Sequence, residues 1–130
     1  ALSRAIAMAK DGNHLVDISR AVQTTCEAAG FAVVRSFVGH GIGTAMHEEP
    51  QVPNFVTREK GPLLRKGMVL AIEPMVNAGS CDVRVMRDGW TAVTADGKPS
   101  AHFEHSIVVR EGGGEILSAT PKLVWGRRAS

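Results

Sequence analysis

The sequence has few of the residues that mark the more specialised protein classes. Cys26 and Cys81 are its only cysteines, and they lack the C-x-x-C spacing of a thiolate metal site. Two scattered thiols also make no disulfide framework and fit a reducing compartment, so the expected location is cytoplasmic. No apolar run approaches the roughly 20 residues needed to span a bilayer, which argues against a membrane role. The net charge is only +2, with no basic run and no aromatic-studded basic face, so nucleic acid is not an expected partner. Arg127 and Arg128 read as a solvated tail. The first residues, ALSRAIAMAKDG, lack the charged-then-apolar order of a signal peptide. They read as a helix already under way with no capping residue before it, and the expectation is a chain that starts inside a larger domain.

What is present fits one soluble globular unit over residues 1–130, with 44% hydrophobic and 22% charged residues. Leu2, Ile6 and Ala9 recur at helical spacing, and Gly12 is expected to end that helix. Ile18, Ala21, Val22, Thr25, Cys26 and Ala29 draw one apolar stripe, with Asn13 or His14 as a start and Gly30 at the left-handed end. FAVVRSFV, residues 31–38, reads as a strand, and residues 52–66 as mostly loop. Further strands are expected at 83–86, 90–94 and 100–110, parted by Asp88-Gly89 and by Asp96-Gly97-Lys98-Pro99. Two helices followed by a mostly antiparallel sheet is an α+β arrangement.

Three places carry residues that suit chemistry. Glu73 interrupts the apolar run MVLAIEPMV, where a lone carboxylate entering a core must be neutralised, paired or bound to metal. The plainer alternative is a buried ion pair or a strand-end residue facing solvent. Glu104 lies in SAHFEHSIVV, and alternation places it on one face with His102, Ser106 and Val108. Taken alone it reads as an exposed cross-strand partner, and His102 and His105 as surface or satisfied core histidines. The third place is GHGIGTAMHEEP, residues 39–50, where His40 and His47 stand seven apart among Gly39, Gly41 and Gly43. The glycines permit a bend and a close approach that let the two imidazoles converge. His40, Glu73 and Glu104 form an all nitrogen-and-oxygen donor set, which suits Mn, Fe, Co or Zn. From residues alone this reaches a metal hydrolase with an incomplete ligand list.

Four motifs in order, GHGIGTAMHEEP, GMVLAIEPMVNAG, DGWT at 88–91 and FEHSIVV at 103–109, resemble type I methionine aminopeptidase over nearly the whole chain. The resemblance implies a pita-bread (creatinase/aminopeptidase) fold, of which this chain is the C-terminal half: two helices and a curved, mostly antiparallel sheet. It implies a two-metal site that removes the initiator methionine from nascent polypeptide N-termini, with the ribosome and an N-terminal half as partners. By position His40 resembles a terminal metal ligand, Glu73 a ligand and general base, and Glu104 a bridging carboxylate. His47 resembles the histidine that hydrogen-bonds the scissile amide, and Trp90 the aromatic wall beside the substrate. Met46 stands where the family commonly has a bulky aromatic against the methionine pocket. The family's two aspartates and third histidine come from its N-terminal half and have no counterpart here. Two other expectations stand beside this one: a non-catalytic half-domain that pairs with another chain, and a pita-bread relative such as an Xaa-Pro hydrolase.

Overall fold

A computed structural model describes residues 1–120; Arg127 and Arg128 lie outside them. Two helices, α1 (Leu2–Met8) and α2 (Leu15–Ala28), precede ten short strands. Helix α2 starts where the backbone N–H of His14 donates to Asp17 Oδ2 at 2.9 Å, so the first-turn acid satisfies a donor the helix cannot. It ends in a Schellman motif. Gly30, at φ +80°, donates to the Glu27 carbonyl, and Phe31 donates to that of Cys26, each at 3.0 Å. The first helix stops sooner than its spacing predicts, at Met8, with Ala9 as its cap. Lys10 is drawn instead into a bridge with Arg110, and Gly12 occupies a turn at φ +87°.

The strands form three sheets in which every strand pairing is antiparallel. The largest is ordered β10 (Gly114–Ile116), β9 (His105–Val109), β4 (Val69–Ile72), β2 (Gly39–Gly41), β3 (Glu48–Val52). A second runs β1 (Ala32–Val33), β5 (Met75–Asn77), β8 (Ser100–His102), and β6 (Val83–Val85) pairs with β7 (Ala92–Thr94) as a separate hairpin. The two helices pack on the large sheet through Ile6, Ile18, Val22, Leu70, Ile72, Ile107 and Val109, with Leu64 between them. Burying each such side chain stabilises the fold by about 1.5–3 kcal/mol.

One expected strand and the apolar run MVLAIEPMV are interrupted at matching points. MVLAIEPMV divides into β4 and β5 around Glu73-Pro74, and the 100–110 strand divides into β8 and β9 around Phe103-Glu104. The register runs unbroken across both gaps, since Ile72 pairs with His105 and Met75 with His102. This sets Glu73 opposite Glu104, and Pro74 opposite Phe103, at the bend of one long ribbon. Pro74 has no N–H to give a ladder, and its carbonyl accepts from Phe103 N at 3.5 Å. The expected single curved sheet is therefore two sheets joined by a bent ribbon.

Two further expectations change. The strand read at 31–38 is only Ala32–Val33, after which Val34 N donates once more to Met75 O at 3.0 Å. Residues 48–52 form β3, where no strand was expected, because only Val52 of that segment is buried and its acids face outward.

Candidate metal centre

Strand pairing brings the three donors together. His40 pairs with Ala71 in the neighbouring strand, which places Glu73, two residues on, diagonal to it on the same face. Glu104 comes to Glu73 directly across the ribbon. One ligand atom from each of His40, Glu73 and Glu104 lies within 4.8 Å of the others. They line a cleft of about 510 Å³ with Ile42, Thr44, Met46, His47 and Ser106.

The glycines beside His40 act through space rather than through unusual backbone angles. None of Gly39, Gly41 or Gly43 has positive φ. A Cβ on Gly39 would run into the carbonyl oxygen of Ala71, and one on Gly41 into that of Glu49. Only hydrogen lets β2 lie this close to both neighbours. The convergence of the two histidines comes from a hairpin: residues 42–47 turn the chain from β2 into β3, with the register shifting between His40 and Gly41. The rings of His40 and His47 then stand 4.1 Å apart, tilted by 42°. Glu48 holds the turn, its Oε1 accepting from Ala45 N at 2.7 Å and Thr44 Oγ1 at 3.0 Å. These bonds hold its carboxyl below the usual range.

The electrostatics call for a cation. His40 Nδ1 lies 2.9 Å from the carbonyl oxygen of Gly41. The tautomer that donates there leaves Nε2 with a bare lone pair. That lone pair faces Glu73 Oε1 at 3.6 Å, and both side chains are only 14% exposed. Two acceptors so placed repel unless something positive lies between them. Donors sharing one cation at about 2.0–2.2 Å each stand roughly 3–4 Å apart, so this spacing fits. Burial first, and the charge of Glu104 second, push the Glu73 carboxyl above its usual range, against the opposing pull of His102 and His40. Opposed carboxylates at a ribbon bend destabilise the fold in the absence of a partner. The donor set, its geometry and its electrostatics all fit a divalent ion. Buried Asn54 fixes the backbone beneath, its Nδ2 donating to Glu73 O at 3.3 Å.

The remaining expected site residues divide. His47 and Met46 line the cleft, with Met46 74% exposed at its mouth. Trp90 does not line it. It sits at the tip of the β6–β7 hairpin, 90% exposed, its N–H donating to Asp88 Oδ1 at 3.0 Å. His102, read from sequence as a surface or core histidine, reaches back over the bend so that its Nε2 lies 3.4 Å from Glu73 Oε2. The signal for it was present in the strand alternation, which put His102 on the face of Glu104.

A bent antiparallel ribbon holding paired carboxylates against a histidine is a candidate metal centre, and comparison with known proteins gives its class. Residues 1–111 match the model of metallopeptidase family M24, and the chain belongs to that family. It is 53% identical over 117 residues to methionine aminopeptidase 1 of Bacillus subtilis, covering 90% of this chain and 47% of that protein. It is 58% identical over 106 residues to the Clostridium perfringens methionine aminopeptidase, covering 82% and 43%. The chain thus spans about half the length of the curated relatives it matches. The crystal structure of the Thermotoga maritima methionine aminopeptidase superposes with a TM-score of 0.87 at 54% identity, over 92% of this chain and 48% of that one. The Pyrococcus furiosus prolidase shares the fold alone, with a TM-score of 0.63 at 20% identity over 93% and 30%. The fold is the pita-bread fold.

Proposed function

We propose that this chain supplies the histidine and both glutamates of a two-metal site in a methionine aminopeptidase, which removes the N-terminal methionine from nascent polypeptides. The observation that carries this is the meeting of His40, Glu73 and Glu104 within 4.8 Å, in a chain more than half identical to enzymes of that name. His40, Glu73 and Glu104 would hold divalent Co, Mn, Fe or Zn. Divalent cations held there supply the Lewis acidity that polarises a carbonyl and acidifies water.

The chain's own side chains divide the rest of the work. Glu73, largely withdrawn from solvent, takes a proton from the attacking water as oxygen joins the scissile carbon. It passes that proton to the leaving amine as the carbon–nitrogen bond breaks, a contribution of about 10²–10⁴ in rate. His47, on the turn that Glu48 holds, donates to the scissile amide and steadies the tetrahedral intermediate. Met46 borders the methionine pocket from the same turn. Trp90, at the tip of the hairpin arm and outside this cleft, would meet substrate only beyond the cleft. Cys26 and Cys81 are free thiols, in keeping with a cytoplasmic compartment, where the ribosome presents the substrate.

A second reading has its own support. A groove of about 610 Å³ between the helices and the bend is lined by Leu2, Ile6, Phe31, Val76, Phe103 and Ile116. Phe103 is 71% exposed, and such a surface is the kind that a partner covers. On this reading the 130-residue chain is a non-catalytic half that pairs with an N-terminal half. An Xaa-Pro specificity has the shared fold behind it and no more. One experiment separates the three. Metal content and cleavage of Met-Ala and Xaa-Pro peptides are measured for the chain alone and mixed with an N-terminal half from a relative. Met-Ala turnover by the mixture, abolished by Glu73→Ala, is the expected result. Wild-type turnover in Glu73→Ala would overturn it, and full activity of the chain alone would exclude the half-domain reading.

A further inference from the structure

The two oxygens of Glu73 do not face the same surroundings. Oε1 faces His40 Nε2 at 3.6 Å, and Oε2 faces His102 Nε2 at 3.4 Å. His102 is the last residue of β8 and pairs with Met75, so it approaches Glu73 along the diagonal of the ribbon from the β5–β8 side. His40 approaches along the other diagonal, from β2. A carboxylate between two imidazoles can present only one oxygen to a shared cation without reorienting. In the tautomer whose Nδ1 donates to Gly41 O, at 2.9 Å, His40 turns Nε2 toward Oε1 as an acceptor. Among the described residues, no such backbone contact fixes the Nδ1 of His102. Its half-exposed ring is free to take the tautomer that carries hydrogen on Nε2 and donates to Oε2.

We infer that His102 is a positioning residue: its Nε2 donates to Glu73 Oε2, fixes the plane of the carboxylate at the bend, and leaves Oε1 turned toward the metal side with His40. This rests on the metal-site reading above. It also assigns a role to a side chain that the ligand set leaves unused. Groups that orient a ligating carboxylate in this way typically alter metal affinity about 10–100-fold when removed.

The test uses Co²⁺ alone as the probe, with affinity measured by titration calorimetry and ligand geometry by the visible absorption of the Co²⁺-loaded protein. His102→Leu keeps much of the side-chain bulk and removes the donor. His102→Gln keeps an N–H donor at similar reach. The expected result is that His102→Leu weakens Co²⁺ binding about 10-fold or more while His102→Gln stays within about threefold of wild type. The absorption bands should hold their positions in both variants, because the ligands themselves are unchanged. Unaltered affinity in His102→Leu overturns the assignment. So does a band shift marking loss of a nitrogen ligand that Gln fails to restore, since His102 would then bind the metal itself. His40→Ala separates this from the parent reading. Co²⁺ affinity unaffected by His40→Ala overturns the metal site and His102 with it. Affinity that falls in His40→Ala but not in His102→Leu overturns His102 alone.

Discussion

On one side of the ribbon's bend lie Glu73 and Glu104, lining a cleft with histidines; on the other lie Pro74 and Phe103, lining an apolar groove. Each member of one pair is the sequence neighbour of a member of the other, Glu73 of Pro74 and Glu104 of Phe103, and the two clefts make opposite demands. The polar cleft gathers like charges that need a cation, and the apolar groove exposes carbon that needs a cover. Strand alternation sends neighbouring residues to opposite faces, so a single bend in register builds both demands at once. Metal loading and association with another half should therefore be separately breakable.

The largest effect should come from Glu104→Ala. It removes one of the three proposed ligands, so Co²⁺ binding by calorimetry should fall at least about 100-fold. Association with an N-terminal half, followed by sedimentation, should be retained. Next is Gly41→Val, which drives a side chain into the Glu49 carbonyl. Overpacking of this kind costs about 1–3 kcal/mol, visible as a lower melting temperature, and it should disturb the polar cleft before the groove. Phe103→Ser should do the converse, lowering association while Co²⁺ affinity stays near that of wild type.

A smaller effect concerns pH. Glu73 has a raised carboxyl in the folded state, so between the ordinary value of 4.5 and that raised value the folded state holds a proton the unfolded chain has released. Stability of the metal-free protein should then fall as pH rises through that window. Glu73→Gln should flatten the slope, and saturating Co²⁺ should reverse it; a flat wild-type profile would contradict the crowding of Glu73 against Glu104. The smallest effect is expected from Asp88→Ala. Its carboxylate accepts from Trp90 N, Thr91 N and Thr91 Oγ1, so the hairpin tip should exchange amide hydrogens faster with no change in metal affinity.

Helix α2 was legible because its apolar stripe, His14 and Gly30 agree with one another, and Glu73 stood out as a candidate donor because a carboxylate inside an apolar run needs a reason. Less was visible where tertiary pairing overrode local pattern. Strand β3 reads as charged loop until Val52 is seen to be buried. The strand at 31–38 loses most of its length because β1 keeps only two ladder pairs, Ala32 with Asn77 and Val33 with Val76. The bend itself depends on two interruptions lying opposite each other, a fact about register that no single segment contains. His102 was passed over for the same reason: its face was known, but not that Glu73 lay diagonal to it.

The hairpin arm of β6 and β7 leaves the ribbon beyond Asn77 and returns before Ser100, on the far side of β5 and β8 from the carboxylates. Its length and tip can change without shifting the acids, because the ladder on either side of the bend sets their spacing. The hairpin arm and the cluster of acids thus occupy separable modules. A lineage can retune the one by editing a peripheral appendage while the other is inherited intact.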